Sequence, residues 1–174
     1  MSSRLGIREL AGLAARAIAV EMVLFEAFGR WIATTSEPSA KPALAAASRR
    51  HARHADRWRA RFPVIPDVDV DAAVAEARSD LGPLVDALAA FDALASGPGR
   101  LAVVDHAAAE LAREYRAALA TIDPLLDAPT AEVLTQILAD LDAVSRTPPE
   151  RDDGERVALD ALRDASPFPT LGVS

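Results

Sequence analysis

At 174 residues, with 51% apolar side chains, a net charge of −7 and no cysteine, the chain has the size and composition of one folded domain with a substantial core, taken to span residues 1–174. The missing thiols exclude a disulfide framework, a thiolate nucleophile and a cysteine metal site, and they fit a reducing, cytoplasmic location. The acidic balance excludes a general nucleic-acid surface, because phosphate binding needs a positive excess, and no run of about twenty uncharged apolar residues suggests a membrane span.

Helical periodicity runs through nearly the whole chain. The spacing predicts a first helix from Gly6 to Ala33; Glu9, Arg16 and Glu21 interrupt its apolar residues and no signal-type cleavage site follows, so it reads as part of the mature fold. The stretch TTSEPSAKP makes a turn and a fresh start signal, and a second helix runs from Ser39 to Arg61, stopping before Phe62-Pro63 because proline disfavours helical geometry in the residue before it. PVIPDVDV at 63–70 reads as an extended crossover. Residues 71–95 read as one or two helices with a break near Gly82-Pro83, and SGPG at 96–99 as an interruption. A further helix covers Leu101 to Ile122, closed by Asp123-Pro124, and another runs from Pro129 to Ser145 with proline in its first turn. After Pro148-Pro149 comes a short charged helix around 151–165, and PFPTLGVS reads as an irregular strap. The fold class is all-α.

The apolar stripes locate the one ionisable cluster that looks buried. Glu21 has Ala14, Ala17, Ile18, Leu24, Phe25 and Phe28 as helical neighbours, and an unpaired carboxylate among them would cost several kcal/mol. On the second helix Leu44, Ala47, His51, Ala55, Trp58 and Phe62 recur at helical spacing, which puts His51 on the buried face and His54 at its edge. A metal ion, a histidine or a proton must satisfy Glu21. The later stripes, Leu101, Val104, Ala108, Leu111, Tyr115, Ala118 and Ile122, then Val133 or Leu134, Ile137, Leu141 and Val144, carry no carboxylate at their centres.

With Glu21 on one helix and His51-Ala52-Arg53-His54 on the next, the arrangement resembles the ferritin-like family, whose di-iron members supply a Glu from one helix and Glu-x-x-His from its partner. The resemblance covers residues 7–145 and implies a four-helix bundle of two helical pairs joined by a long crossover, here with an extra short C-terminal helix. His54 matches the family histidine, while His51 stands where the family has Glu. In the second half the same offsets fall on Leu111, Leu141 and Val144, so the resemblance implies that this half-site is replaced by hydrocarbon. Glu110 and Glu114 flank Leu111, and Glu114, beside Tyr115, is the better candidate for a rescued ligand.

Glu21, His51, His54 and tentatively Glu114 are therefore the candidate metal ligands, with Tyr115 and Trp58 as candidate walls of a ligand pocket. One carboxylate and two imidazoles have the ligand count of a 2-His-1-carboxylate iron site or an open zinc site; iron, manganese or zinc are the candidate ions, and no cofactor at all is an equal alternative. Three readings stay open: a metalloprotein acting as an oxidoreductase, a metal-free bundle that binds a small molecule or a protein partner, and a cofactor-free acid–base enzyme using a buried Glu–His pair. Alanine-rich helices approach closely, so a homodimer is a modest expectation. Glu26 and Arg30 read as an i, i+4 surface pair, His106 as exposed, Asp140 and Asp142 as surface acids and Trp31 as an anchor at the core's edge. The arginines around the two histidines, from Arg49 to Arg61, read as a solvated helix face. No Gly-rich phosphate loop, Gly-x-Ser-x-Gly elbow or HExxH is present.

Overall fold

In the computed structural model, which describes residues 6–93, 96–143, 159, 160, 162–164 and 168–171, the first helix, α1 (Ile7–Thr34), begins where the Glu9 carboxylate reaches back to accept the backbone N–H of Gly6 at 2.5 Å. It ends where the Thr35 hydroxyl donates to the Trp31 carbonyl at 2.7 Å. Both contacts satisfy backbone groups that a helix end leaves without partners. A short loop leads to α2 (Lys41–Arg61), which carries Pro42 in its first turn and stops before Phe62-Pro63 as expected. These two helices form a closely packed hairpin. The Ser48 hydroxyl donates to the Phe25 carbonyl at 3.0 Å, and Gly29 lies against Ser48.

The 63–70 stretch is irregular, with Asp67 in the left-handed region at φ 64. Asp69 then caps α3 (Val70–Ser79) by accepting from the Ala72 N–H at 2.7 Å. The chain breaks at Asp80-Leu81 and resumes as α4 (Gly82–Ala90), followed by a tight 3-10 turn, Phe91–Ala93. Both α3 and α4 pack on α1 of the same chain.

SGPG is not an interruption. Ser96 caps α5 (Gly97–Thr121) by accepting from the Gly99 N–H at 3.3 Å, and Gly97-Pro98-Gly99 form its first turn, where proline's missing N–H costs nothing. A Cβ at Gly97 would stand 2.7 Å from that of Ala40, so only glycine lets this turn close on the α1–α2 loop, where its N–H donates to Glu37 at 2.9 Å. Asp127 caps α6 (Ala128–Asp142) through the Thr130 N–H at 3.3 Å. Residues 159, 160 and 162–164 are helical and 168–171 are irregular; the remainder of the short C-terminal helix and strap lies outside the described residues.

The contacts between ends fix the topology. Arg100, in the first turn of α5, donates to the Trp31 carbonyl at the end of α1, while Arg61, at the end of α2, pairs with Asp127 and Thr130 at the start of α6. Accordingly α5 runs antiparallel to α1 and parallel to α2, and α6 runs antiparallel to α2, packed against α2 and α5. The connection through α3 and α4 spans the length of the bundle, about 30 Å for a helix such as α2. A single apolar core joins these helices with Leu159, Leu162, Phe168 and Leu171 from the tail. Among the described residues there is no strand, and no helix is long and apolar enough to cross a membrane.

Candidate functional site

Four helices meet at Glu21. It lies at the middle of α1 on the face toward α2, where His51 and His54 follow one another by one helical turn. Glu21 and both imidazoles have no exposed surface. His51 Nδ1 lies 2.5 Å from Glu21 Oε2, and His54 Nδ1 lies 3.2 Å from Oε1. From α5 the Tyr115 hydroxyl donates to Oε1 at 2.6 Å. From α6 Asp140 places Oδ2 3.3 Å from His54 Nε2, and Arg57 donates to the same oxygen at 2.8 Å. The second hairpin therefore completes a cluster that the first hairpin begins.

The electrostatics follow from burial and from these contacts. Burial pushes the Glu21 carboxyl upward, but the His51 charge and the hydrogen bonds from His51 and His54 outweigh it and hold the group at about 2 against an ordinary 4.5. Tyr115 moves the other way: burial first, then the Glu21 charge, raise its phenol well above the usual value and keep it a neutral donor. For His51 burial is the largest influence and lowers its pKa, opposed by the charge of Glu21 and the hydrogen bond between the two groups. Its Nε2 is buried, beside the edge of Phe28, without a hydrogen-bond partner.

His54 is the unusual member. Carboxylate oxygens face both of its nitrogens, and a neutral imidazole can donate from only one of them. Whichever nitrogen carries the hydrogen, the lone pair of the other faces a carboxylate oxygen, Glu21 Oε1 on one side or Asp140 Oδ2 on the other, a repulsive contact that a metal cation between lone pair and carboxylate would relieve. One atom from each of Glu21, His51 and His54 lies within 4.8 Å of the others, so the three could hold a metal ion, and they are the one such group found among the described residues.

Glu114 does not join them. Its carboxylate turns to the tail, accepting from the Leu171 N–H at 3.1 Å and from Arg113 at 3.2 Å, because the helix carries it away from the face that presents Tyr115. Glu110 pairs with Arg113. Leu111 and Leu141 are buried as the internal comparison expects, and Val144 lies outside the described residues. Trp58 and Tyr115 are both fully buried, with rings stacked at 6.1 Å, and the cavity of about 320 Å³ on the α3 side of α1 includes neither.

Asp140 is the member of this cluster that the sequence pattern does not single out. It was expected on the surface, and its side chain is 36% exposed, yet its inner oxygen reaches His54. The available signals were its place next to Leu141, the residue equivalent to His51 in the second half, and Arg57 at i+3 from His54. Other readings also change. Glu26 pairs with Arg78 and Arg30 with Asp92, because α3 and the 3-10 turn bring better-placed partners than the helix itself offers. Trp31 is fully buried and its indole N–H donates to Asp92. His106 is half-buried, with Phe168 edge-on at 5.8 Å.

Comparison with protein-family models, with curated proteins and with solved structures finds no match.

Proposed function

We propose that the protein is a ferritin-like helical bundle that binds one divalent transition metal, iron, manganese or zinc, through Glu21, His51 and His54. The observation that carries this reading is the buried grouping of one donor atom each from Glu21, His51 and His54 within 4.8 Å of one another, with carboxylate oxygens facing both nitrogens of His54. The topology, two hairpins joined by a connection that runs the length of the bundle, supports the ferritin-like assignment. The donor set suits these metals, and three protein ligands leave a position for an exchangeable ligand, the arrangement that oxygen-dependent redox chemistry requires. Asp140 would fix the orientation of His54 from behind, as outer carboxylates do for metal-bound histidines.

Ligand atoms arranged at about 2.1 Å around one ion are roughly 3.0–3.5 Å apart. The 2.5 Å contact between His51 and Glu21 would therefore open slightly on loading. A metal-free bundle is the second reading, favoured by a separate observation: the Tyr115 hydroxyl donates to Glu21, and a nitrogen of each of His51 and His54 lies within hydrogen-bond distance of the same carboxylate, so the cluster has donors of its own.

Elemental mass spectrometry on untagged protein, before and after anaerobic reconstitution with iron, separates the two. The metal reading expects near-stoichiometric iron, manganese or zinc that is lost in both Glu21→Gln and His54→Ala. Absence of metal after reconstitution, in protein whose circular dichroism is that of a folded bundle, refutes it and leaves the second reading.

A further inference from the structure

Between the first half of α1 and α3 lies the cavity of about 320 Å³, at the lower end of the volumes that hold small ligands. Its position follows from side-chain size. Ala11, Gly12 and Ala15 on α1 face Ala73 and Ala77 on α3, so two packed helices leave a groove where larger residues would interlock. Ile65 and Val68 from the preceding segment also line it, and the result is an apolar floor of short side chains.

The walls are charged, and the charges are arranged by helix. Arg8 and Arg16 stand on α1, whereas Glu76 stands on α3 and Asp80 at its C-terminal cap. The same two helices are bridged elsewhere by a two-point pair, Arg78 with Glu26 at 2.5 and 3.0 Å. Around the cavity no such pair forms: among the described residues these four side chains make no hydrogen bond or ion pair. Arg16 Nε is shut off from solvent and still has no partner. Two cations and two carboxylates thus line one cleft without pairing with one another, Arg8, Glu76 and Asp80 exposed at its rim and Arg16 half-buried.

We propose that this cavity binds a small amino carboxylate, its carboxylate on Arg16 and Arg8, its ammonium on Glu76 and Asp80, and its chain over the alanine floor. Helices in contact are about 8–10 Å apart, so the complementary ligand carries its two charges at opposite ends of a short apolar chain rather than on one carbon. The site is independent of the metal reading, because Glu21 faces α2 and α5 while this cavity opens on the α3 side of α1.

Isothermal titration calorimetry with four probes tests it: 6-aminohexanoate, its isomer norleucine, hexanoate and hexylamine. The expected result is saturable binding of 6-aminohexanoate about tenfold or more tighter than of the other three, with Arg16→Gln and Glu76→Gln each weakening it about tenfold. A Cβ at Gly12 would meet only the end of Arg16, at 3.4 Å, so Gly12→Leu fills the floor without breaking the helix and should abolish binding while circular dichroism stays that of the wild type. Hexanoate binding as tightly, with Glu76→Gln silent, would overturn the proposal in favour of a plain anion site. Norleucine binding as tightly would overturn the end-to-end placement, and no saturable heat from any probe would remove the site altogether.

Discussion

Replacing Tyr115 by Phe takes one oxygen out of a core whose shape is otherwise unchanged. That oxygen is fully buried and donates to Glu21 Oε1 at 2.6 Å. Without it, Oε1 keeps only the contact with His54 and Oε2 that with His51, and the carboxylate loses its one hydroxyl donor. Hydrogen bonds to charged acceptors contribute about 1.5–3 kcal/mol, which puts the expected loss near 2 kcal/mol and the fall in Tm at roughly 4–8 °C for a chain of this size. Urea unfolding in the presence of a chelator, followed by far-ultraviolet circular dichroism, measures the loss. The same substitution in a Glu21→Gln background should cost only about 1 kcal/mol, since the acceptor is then neutral, leaving a coupling of about 1 kcal/mol in the double-mutant cycle. A cycle that closes with no coupling would mean that Tyr115 does not sense an ionised Glu21, and the charge assignment of the cluster would fall with it.

Glu21 also shapes the response to acid. Its folded pKa of about 2 lies below the ordinary 4.5, so its stabilisation, roughly 3 kcal/mol, is complete above about pH 4.5 and is lost as the pH falls toward 2. Denaturant titrations of metal-free wild type and Glu21→Gln should show the wild type losing more stability over that window; parallel curves would contradict the shift. Two glycines should respond with opposite signs: Gly12→Ala, whose Cβ would enter the α1–α3 cleft and meet only the end of Arg16 at 3.4 Å, should raise stability by about 0.5–1 kcal/mol, whereas Gly97→Ala, with its Cβ 2.7 Å from Ala40, should lower it by about 1–3 kcal/mol, both read from urea midpoints. Arg100 is buried and donates to the carbonyls of Trp31 and Asp92 and to the hydroxyls of Thr34 and Thr35, so Arg100→Met should cost about 2–4 kcal/mol, with Arg100→Lys recovering only part; a Met variant as stable as wild type would show these bonds to be dispensable.

The helices were legible because each carries an apolar stripe of sufficient length, and Glu21, His51 and His54 were legible because all three belong to one local hairpin, where spacing along the sequence maps directly onto position in space. What failed depended on partners distant in sequence. Asp140 occupies the flank of α6, and whether a flanking carboxylate meets solvent or a histidine depends on how the second hairpin docks. Glu114 failed for a related reason: one position away from Tyr115 on a helix is about 100° around it, enough to turn a carboxylate from the core to the tail. SGPG looked like a break because glycine and proline disfavour helix interiors, yet the same residues suit a first turn pressed against the α1–α2 loop. Glu26 and Arg30 were read as partners by the i, i+4 rule, which holds for an isolated helix and gives way when α3 and the 3-10 turn supply Arg78 and Asp92.

The division of the cluster between two hairpins has a consequence for how the chain finds its fold. Alanine-rich faces offer few large protrusions, so α5 and α6 could slide along α1 and α2 by one turn, about 5.4 Å, at little cost in apolar contact. Such a slip would remove the Tyr115 hydroxyl from Glu21 and Asp140 from His54, leaving a buried carboxylate and a buried imidazole short of partners, and breaking pairs of that kind costs several kcal/mol. Each hairpin can form from near neighbours in sequence, whereas their docking must also order the segment between Arg61 and Gly97, which makes docking the slow step. The polar cluster acts at that step as an address: it tells one hairpin where along the other to stop.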